Sequence, residues 1–415
     1  MQTNLTKLIK DSPEGAEAEA ILRSCVHCGF CLATCPTYQL LGDELDSPRG
    51  RIYLMKQMLE GRPVTQKTQL HLDRCLTCRA CETTCPSGVR YGRLVDIGRG
   101  IVEKQVVRNK SAAIERYLLR KILPKPRVFS LLLKIGRFVR PLLPSQFKKS
   151  VPTQVKAPTQ WPVVRHKRKM LILDGCVQPA LAPNINAASA RVLDRLGVSL
   201  IKAEQAGCCG GIAYHLNAQQ EGLDAMRRNV DAWWPAVNQK EVEAIVITAS
   251  GCGVTVKEYG HLLRHDPDYA EKAKQISMLV RDISEIIDTE FKNLQRLFDQ
   301  QTSHDINQTV SFHSPCTLQH GLQLVGKVEK ILVAAGFKLT VVQNPHLCCG
   351  SAGTYSILQP QLSQQLLKNK IHALEADKPD QIATANIGCL THLQSSTSLS
   401  VSHWIELLDK RLCSQ

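Results

Sequence analysis

Two strings of one design constrain this chain more than any other feature: CVHCGFCLATCP at 25–36 and CLTCRACETTCP at 75–86. Each spaces four cysteines as C-x2-C-x2-C-x3-C and follows the last with proline. Three thiols so spaced wrap one face of a compact inorganic group, and Pro36 and Pro86 turn the chain away after the fourth. The chain has 17 cysteines in 415 residues. Its longest apolar runs fall far short of the roughly 20 residues that span a bilayer. The first residues, MQTNLTKLIKDSPEG, hold no apolar stretch of signal-peptide length. The cytoplasm is therefore the expected compartment, and clustered cysteines there bind metal or do redox work rather than form disulfides. Cys413 alone stands outside any motif and reads as an ordinary thiol.

The spacing is that of the bacterial ferredoxin run for [4Fe–4S] clusters, in which the cysteine before proline ligates the other cluster. Carried over, cluster one takes Cys25, Cys28, Cys31 and Cys85, and cluster two takes Cys75, Cys78, Cys81 and Cys35. Zinc is the competing occupant of four-thiol sites, but it usually takes two separated C-x2-C pairs. Between the runs, DSPRGRIYLMKQMLEG predicts a helix. Ser47 suits the N-cap, Pro48 the first helical position, Ile52, Met55 and Leu59 recur at helical spacing, and Gly61 ends the pattern. A mainly α-helical, ferredoxin-like two-cluster domain over residues 1–103 is expected. It is similar to the two-cluster domains of succinate dehydrogenase-type iron–sulfur subunits. Two clusters at ferredoxin separation make a short wire for single electrons. Arg74, Arg79, Arg90 and Arg93 flank the second run. They either raise the potential of the second cluster or are solvated surface.

The second half contains a repeat. MLILDGC, AGCCGG and AIVITASGC recur as VSFHSPC, HLCCGS and QIATANIGC. Cys176, Cys208 and Cys209 return 140 residues later as Cys316, Cys348 and Cys349, and Cys252 returns 137 later as Cys389. In each copy a β-rich run ends in a cysteine, a helical stretch follows (NAASARVLDRLG or GKVEKILVAAG), and a second strand leads to Cys-Cys-Gly. Another helical stretch and a third strand lead to the last cysteine. Strands alternating with helices imply a parallel α/β sheet. All four cysteines then stand at carboxyl strand ends, where open α/β sheets bind ligands. Two α/β domains are expected, over 169–300 and 305–415. Buried core cysteines are the plain alternative. In the second copy His313, His320, His346 and His392 also lie near the cysteines along the chain.

The formal charge of +15 is concentrated in one stretch. Residues 104–169 hold 18 Lys or Arg and one acid, a net +17, so the remainder is near −2. Residues 104–168 read as a basic amphipathic linker. Within it, Phe129, Leu132, Leu133, Gly136, Phe138 and Val139 offer an apolar stripe, and prolines 124, 126, 141 and 144 confine any helix to about three or four turns. Three roles stand open: docking on a membrane interface, packing on an acidic subunit, or a solvated linker. No nucleotide fingerprint is complete, since GCGVTVKEYG has Val256 where the third glycine would stand. No P-loop, flavin site or nucleophile elbow is found, and no nucleic-acid partner is expected.

The repeat resembles the cysteine-rich CCG domain of heterodisulfide reductase-like proteins. There the motif closes with C-x2-C, but here Ala249 and Asn386 stand at the first position of that pair. Each copy still has four thiols, which leaves open an additional iron–sulfur cluster in a CCG domain. Over nearly its whole length the chain resembles the iron–sulfur subunits of glycolate oxidase (glycolate dehydrogenase). The strings that carry this are CVHCGFC, ATCPTYQLLGDELDSPRGRIYL, LDRCLTCRACETTCPSGVRYG, DAWWPAV, TASGCG, KEYG, CTLQHG, HLCCGSAGTY and TANIGC. The resemblance implies an electron-transfer subunit without a catalytic residue of its own, unable to oxidise substrate alone. Flavin-binding subunits of the same complex would oxidise glycolate to glyoxylate, and this chain would pass electrons towards quinone, an acceptor other than NAD or oxygen. The implied location is the cytoplasm, peripheral on the cytoplasmic face of the inner membrane if the basic segment docks there. Competing readings are a catalytic disulfide reductase of the heterodisulfide type, and the corresponding subunit of an anaerobic glycerol-3-phosphate or D-lactate dehydrogenase.

Overall fold

The computed structural model describes residues 1–142, 152, 155, 157–300 and 308–413. Up to Gln105 the described chain is helices and loops. Helix Pro48–Leu59 starts as the sequence predicts. Ser47 Oγ accepts from Gly50 N at 3.0 Å, Pro48 holds the first position, and Ile52, Met55 and Leu59 are buried. They join Leu22, Leu72, Leu94 and Val95 in one core that also takes in Cys25, Cys75 and Cys81. Burying each large aliphatic side chain stabilises by about 1.5–3 kcal/mol, and the cysteine loops are anchored in that core. The same helix carries the buried Arg51. Its guanidinium donates to His71 O at 2.7 Å, Thr37 Oγ1 at 3.1 Å and Asp46 Oδ1 at 3.2 Å. Asp46 is fully buried and also takes Arg74 at 2.7 Å. Removing one member would strand a buried charge, at a cost of about 3–5 kcal/mol. This network ties the turn after the first cysteine run to helix Gln66–Asp73, which leads into the second.

The second half is two parallel sheets of the same topology. Strands β1 (Arg168–Ile172), β2 (Val198–Lys202), β3 (Ile245–Ile247) and β4 (Val280–Asp282) lie in the order β2-β1-β3-β4. Strands β5 (Thr309–His313), β6 (Lys338–Leu339), β7 (Gln381–Thr384) and β8 (Ser400–His403) lie in the order β6-β5-β7-β8. The expected helices after the first cysteines form at Asn184–Arg195 and Lys327–Ala334. Side chains alternate along β1. Met170 and Ile172 enter a core shared with Val310, Phe312 and Trp404 of the other half, while Leu171 and Leu173 enter a separate core with Met226 and Trp233. Helix Asn184–Arg195 packs on Trp404–Cys413, and Ile283–Thr289 on Lys327–Ala334. Each half thus lends a helix to the other.

The basic segment is folded where it is described. Helix Lys110–Ile122 is pinned to the rest of the chain, with Arg116 3.1 Å from Asp73, and Arg120 and Lys121 3.1 and 3.0 Å from Glu221. Helix Pro126–Val139 has 14 residues, bounded by prolines as expected. Its exposed stripe is not the expected one. Phe129, Leu133, Gly136 and Val139 are half-buried, and the helix lies against Gln178–Leu181. Val128, Leu131, Leu132, Ile135 and Phe138 face outward, with Leu142 continuing the row. Arg127, Ser130, Lys134 and Arg137 share one side of this helix, and apolar residues cover the rest, an arc too wide for spacing alone to say which part of it is buried. Pro144, Lys148, Lys149 and Lys156, and the 301–307 junction, lie outside the described residues. Among the described residues no helix is long and apolar enough to cross a membrane.

Candidate iron–sulfur sites

Two thiol-lined cavities sit side by side in the helical domain. The first is lined by Cys25, Cys28, Cys31 and Cys85, with Cys81 and Tyr91. The second is lined by Cys35, Cys75, Cys78 and Cys81, with Arg51, Arg79 and Tyr91. The fold thus brings the last cysteine of each run to the first three of the other. The loops curl alike: His27 and Gly29 in one run, and Thr77 and Arg79 in the other, have positive φ, followed by the one-turn helices Phe30–Ala33 and Ala80–Thr83. For His27, Thr77 and Arg79 this conformation is strained, and such strain persists where the surroundings over-determine the backbone. Sequence reasoning missed it because these positions are not glycine.

Burial pushes the Cys31 thiol up to about 11, and Cys78 and Cys81 well above the usual range. Burial thus favours the protonated form of these three thiols, and a thiolate there needs a cation in the cavity. Five thiols around the first cavity and four around the second, arginines in both walls and no carboxylate among the described lining residues fit a thiolate-ligated cluster. Of the arginines flanking the second run, Arg74 pairs with Asp46, Arg79 with Glu258 at 2.6 Å and Arg93 with Glu17 at 3.2 Å, while Arg90 is exposed. They are largely neutralised in place, and Arg51, which sequence reasoning missed, lines the second cavity with Arg79. Glu17 also takes His261 at 2.9 Å and Arg264 at 3.0 Å, which fastens the helical domain to the first α/β half. Against its burial, hydrogen bonds from His261 and Arg93 hold its carboxyl well below the usual range.

In each α/β half the four cysteines follow the first three strands. Cys176 follows β1, Cys208 and Cys209 follow β2, and Cys252 lies in the first turn of helix Ser250–Lys257 after β3. Cys316, Cys348, Cys349 and Cys389 repeat this after β5, β6 and β7. The strand order reverses between β1 and β3, and between β5 and β7, the switch point at which such sheets bind ligands. The glycine after each vicinal pair has a structural reason. Gly210 (φ +87°) and Gly350 (φ +89°) would set a Cβ 2.6 Å from the Gly222 and Ser363 carbonyl oxygens. Hydrogen bonds from the Cys176 and Cys209 thiols pull Cys208 well below the usual thiol range, while Cys176 goes up. In the second half Cys316 lies 3.8 Å from Cys348, sulfur to sulfur. There mutual hydrogen bonding and burial raise Cys316, and raise Cys348 and Cys349 although each accepts from a neighbouring thiol.

Among the four histidines of the second half, His313 joins the thiols: a ring nitrogen and the sulfurs of Cys349 and Cys389 lie within 4.8 Å of one another. His320 instead meets Thr83 Oγ1 at 2.9 Å and the His346 carbonyl at 3.1 Å, and His392 meets Ser363 Oγ at 3.1 Å. Asn386, in place of the closing motif's cysteine, donates to Cys389 Sγ at 3.6 Å and accepts from Gly251 N of the first half at 3.4 Å. The departure from the motif therefore links the two halves. The second half also touches the helical domain at its cysteines. Cys78 and Cys316 pack on an apolar cluster of Leu76, Cys348, Tyr355 and Leu366, and Tyr355 OH donates to Arg74 O at 3.1 Å.

A 4Fe–4S dicluster domain model matches residues 21–89, and a cysteine-rich domain model, CCG, matches 170–257 and 310–394. The chain is 55% identical over 412 residues to the glycolate oxidase iron–sulfur subunit of Escherichia coli K12, covering 99% of both chains. It is 28% identical to a probable glycolate oxidase iron–sulfur subunit of Bacillus subtilis, over 91% of this chain and 89% of that one. It is 26% identical to lactate utilization protein A of Bacillus licheniformis, over 59% of this chain and all of that one. With its dicluster domain and paired cysteine-rich domains, the chain belongs to the family of glycolate oxidase iron–sulfur subunits.

Proposed function

We propose that this chain is the electron-transfer subunit of a flavin-dependent glycolate-oxidising complex. The observation that carries this is the pair of thiol-lined cavities sharing Cys81 and Tyr91. Iron–sulfur clusters, when bound, supply one-electron redox chemistry. The chain's own part is to hold them: Cys25, Cys28, Cys31 and Cys85 around the first cavity, Cys75, Cys78, Cys81 and Cys35 around the second. Residues 1–103 form the cluster domain, 104–168 the basic segment, and 169–300 and 305–415 the two CCG domains. Flavin-binding partner subunits oxidise glycolate to glyoxylate, and quinone is the acceptor. Lactate, read from the sequence as D-lactate, is the second reading for the substrate, and the likeness to lactate utilization protein A favours lactate of either hand. Co-purification on a tagged chain tests this. Flavoprotein partners should be recovered, and glycolate should reduce their flavin. Cys28→Ser or Cys78→Ser should leave that half-reaction intact and abolish electron delivery to quinone. Full delivery by both variants would overturn the reading, and faster flavin reduction by D-lactate would move the substrate.

The exposed face of helix Pro126–Val139 lies on an anionic membrane surface in this reading. Phe138 and Leu142 are each 87% exposed, and Arg127 and Lys134 flank the row. Apolar groups would enter the interface while cations meet headgroups. Phe138→Asp, or Arg127→Glu with Lys134→Glu, should abolish co-sedimentation with anionic vesicles. Salt should weaken the binding of the parent protein, because exposed charges are screened beyond about 10 Å at 0.1 M. Unchanged sedimentation of the variants, or none for the parent, would sink docking.

A further inference from the structure

The two CCG sites differ at the last core position of the strand before their first cysteine. The first half has Leu173 there, and the second has His313. His313 is 1% exposed, and its Nε2 is buried without a hydrogen-bond partner. A buried polar atom left unpaired costs about 1–3 kcal/mol, a cost that a leucine would avoid. The orphan nitrogen belongs to a ring that meets the sulfurs of Cys349 and Cys389.

A second difference lies on the helix behind the vicinal pair. Lys370, on helix Pro360–Glu375, is 3% exposed. Its Nζ donates to Asn344 O at 3.1 Å, and no carboxylate among the described residues stands within ion-pair distance. Lysine is almost never fully buried unless paired. In the first half the buried polar residue of the equivalent helix is Asn229, which donates to Cys208 O and Tyr259 OH, both at 3.0 Å. The second half therefore gathers four thiols, one unpaired imidazole nitrogen and one buried ammonium without a carboxylate. Thiols and imidazole are the donors for iron–sulfur and other thiophilic centres. A thiolate-bound centre carries the negative charge that the ammonium lacks.

We propose that the second CCG half holds an iron–sulfur centre in which His313 supplies a nitrogen ligand beside Cys316, Cys348, Cys349 and Cys389. The first half, with Leu173, holds no nitrogen-ligated centre. This deepens the electron-transfer reading and rests on it, but it does not depend on the identity of the hydroxy acid. Imidazole in place of thiolate raises the potential of an iron–sulfur centre. The site beside Cys78 is then a place where electrons collect.

The test uses the full chain, purified without oxygen and reconstituted with iron(II) and sulfide, from cells fed 15N-histidine or natural histidine. Hyperfine spectra of the reduced protein should show a bonded imidazole nitrogen that changes with the label. Iron should exceed the roughly eight atoms per chain that two [4Fe–4S] clusters account for. His313→Leu, which copies the first half, should lose that coupling and the excess iron. His313→Cys should keep the iron, lose the coupling and lower the potential. A parent spectrum without label-sensitive coupling, zinc in place of the excess iron, or a folded His313→Leu with unchanged iron and spectrum would each overturn the proposal. If His313→Leu does not fold, the labelled parent alone decides. Loss of glycolate turnover with the coupling intact would fault the functional reading and leave the ligand in place.

Discussion

The two CCG halves share strand order, helix placement and four cysteines, yet they present different chemistry at the same edge. The first surrounds its thiols with Leu173, Asn229 and Tyr259, and the second with His313, Lys370 and the wall of the second cavity. Duplication supplied one scaffold twice. Among the described residues, the second copy packs its cysteines with Cys78 on one cluster, and that copy alone has the orphan imidazole and the buried ammonium. The difference teaches that the repeat marks where a site stands, whereas the core residues around it mark what the site does.

The sharpest way to break this comparison is to disable each vicinal pair in turn. Replacing Cys348 and Cys349 by serine should lower electron delivery to quinone by about 100-fold, the upper range for disturbing a metal site. The matching Cys208 and Cys209 variant should lose far less. Equal losses, measured as quinone reduction by the whole complex, would mean that the halves serve the path alike.

A smaller effect is expected from pH. Asp282 and His403 are equivalent: each is the last residue of its half's fourth strand, directly before a helix. Burial pushes Asp282 up to about 6 despite hydrogen bonds from Ser284. Burial pulls His403 down to about 4, with Nε2 donating to Thr248 O of the other half at 2.9 Å and Nδ1 accepting from Ile405 N at 3.3 Å. A raised acid favours the folded state at low pH and loses that support as pH rises from about 4 to 6. A depressed base favours it at high pH and loses support as pH falls from about 6.5 to 4. The two slopes oppose each other, each of order 2–3 kcal/mol. Across about pH 4–6.5 the melting temperature of Asp282→Asn should therefore fall more steeply towards acid than the parent's. That of His403→Gln should fall more steeply towards base. Curves parallel to the parent would remove the opposition.

The smallest change sharpens the comparison by making the halves alike. Leu173→His places an imidazole in the first half's apolar core. It should destabilise by about 1–3 kcal/mol for an unpaired buried polar group. Added iron should not restore the melting temperature. Restoration would show that the first half can also build a nitrogen-ligated centre.

Much of this architecture was legible before any fold was known. The four thiols that the ferredoxin spacing groups together line one cavity in each case, Ser47 and Pro48 started their helix where expected, and the 140-residue offset found both sheets. What escaped depends on partners distant in sequence. Arg51 reads as one more surface base until Asp46 and the His71 carbonyl enclose it. Lys370 reads as the polar face of a helix until the fold turns it inward. Asn386 reads as a lost ligand until Gly251 reaches it from the other half. The apolar stripe of helix Pro126–Val139 was visible, but its phase was set by Gln178–Leu181, which no local spacing encodes.

The packing of Cys78 on the cluster that holds Cys348 and Tyr355 also has a bearing on time. Chains leave the ribosome N-terminus first, at about 5–20 residues per second. Roughly 280 residues separate Cys78 from Tyr355, so the second cysteine run waits about 15–55 s for the cluster that packs on Leu76 and Cys78. The cavity's own lining, within residues 35–91, is all synthesised before that cover exists. The order of synthesis thus makes the site first and its outer packing last.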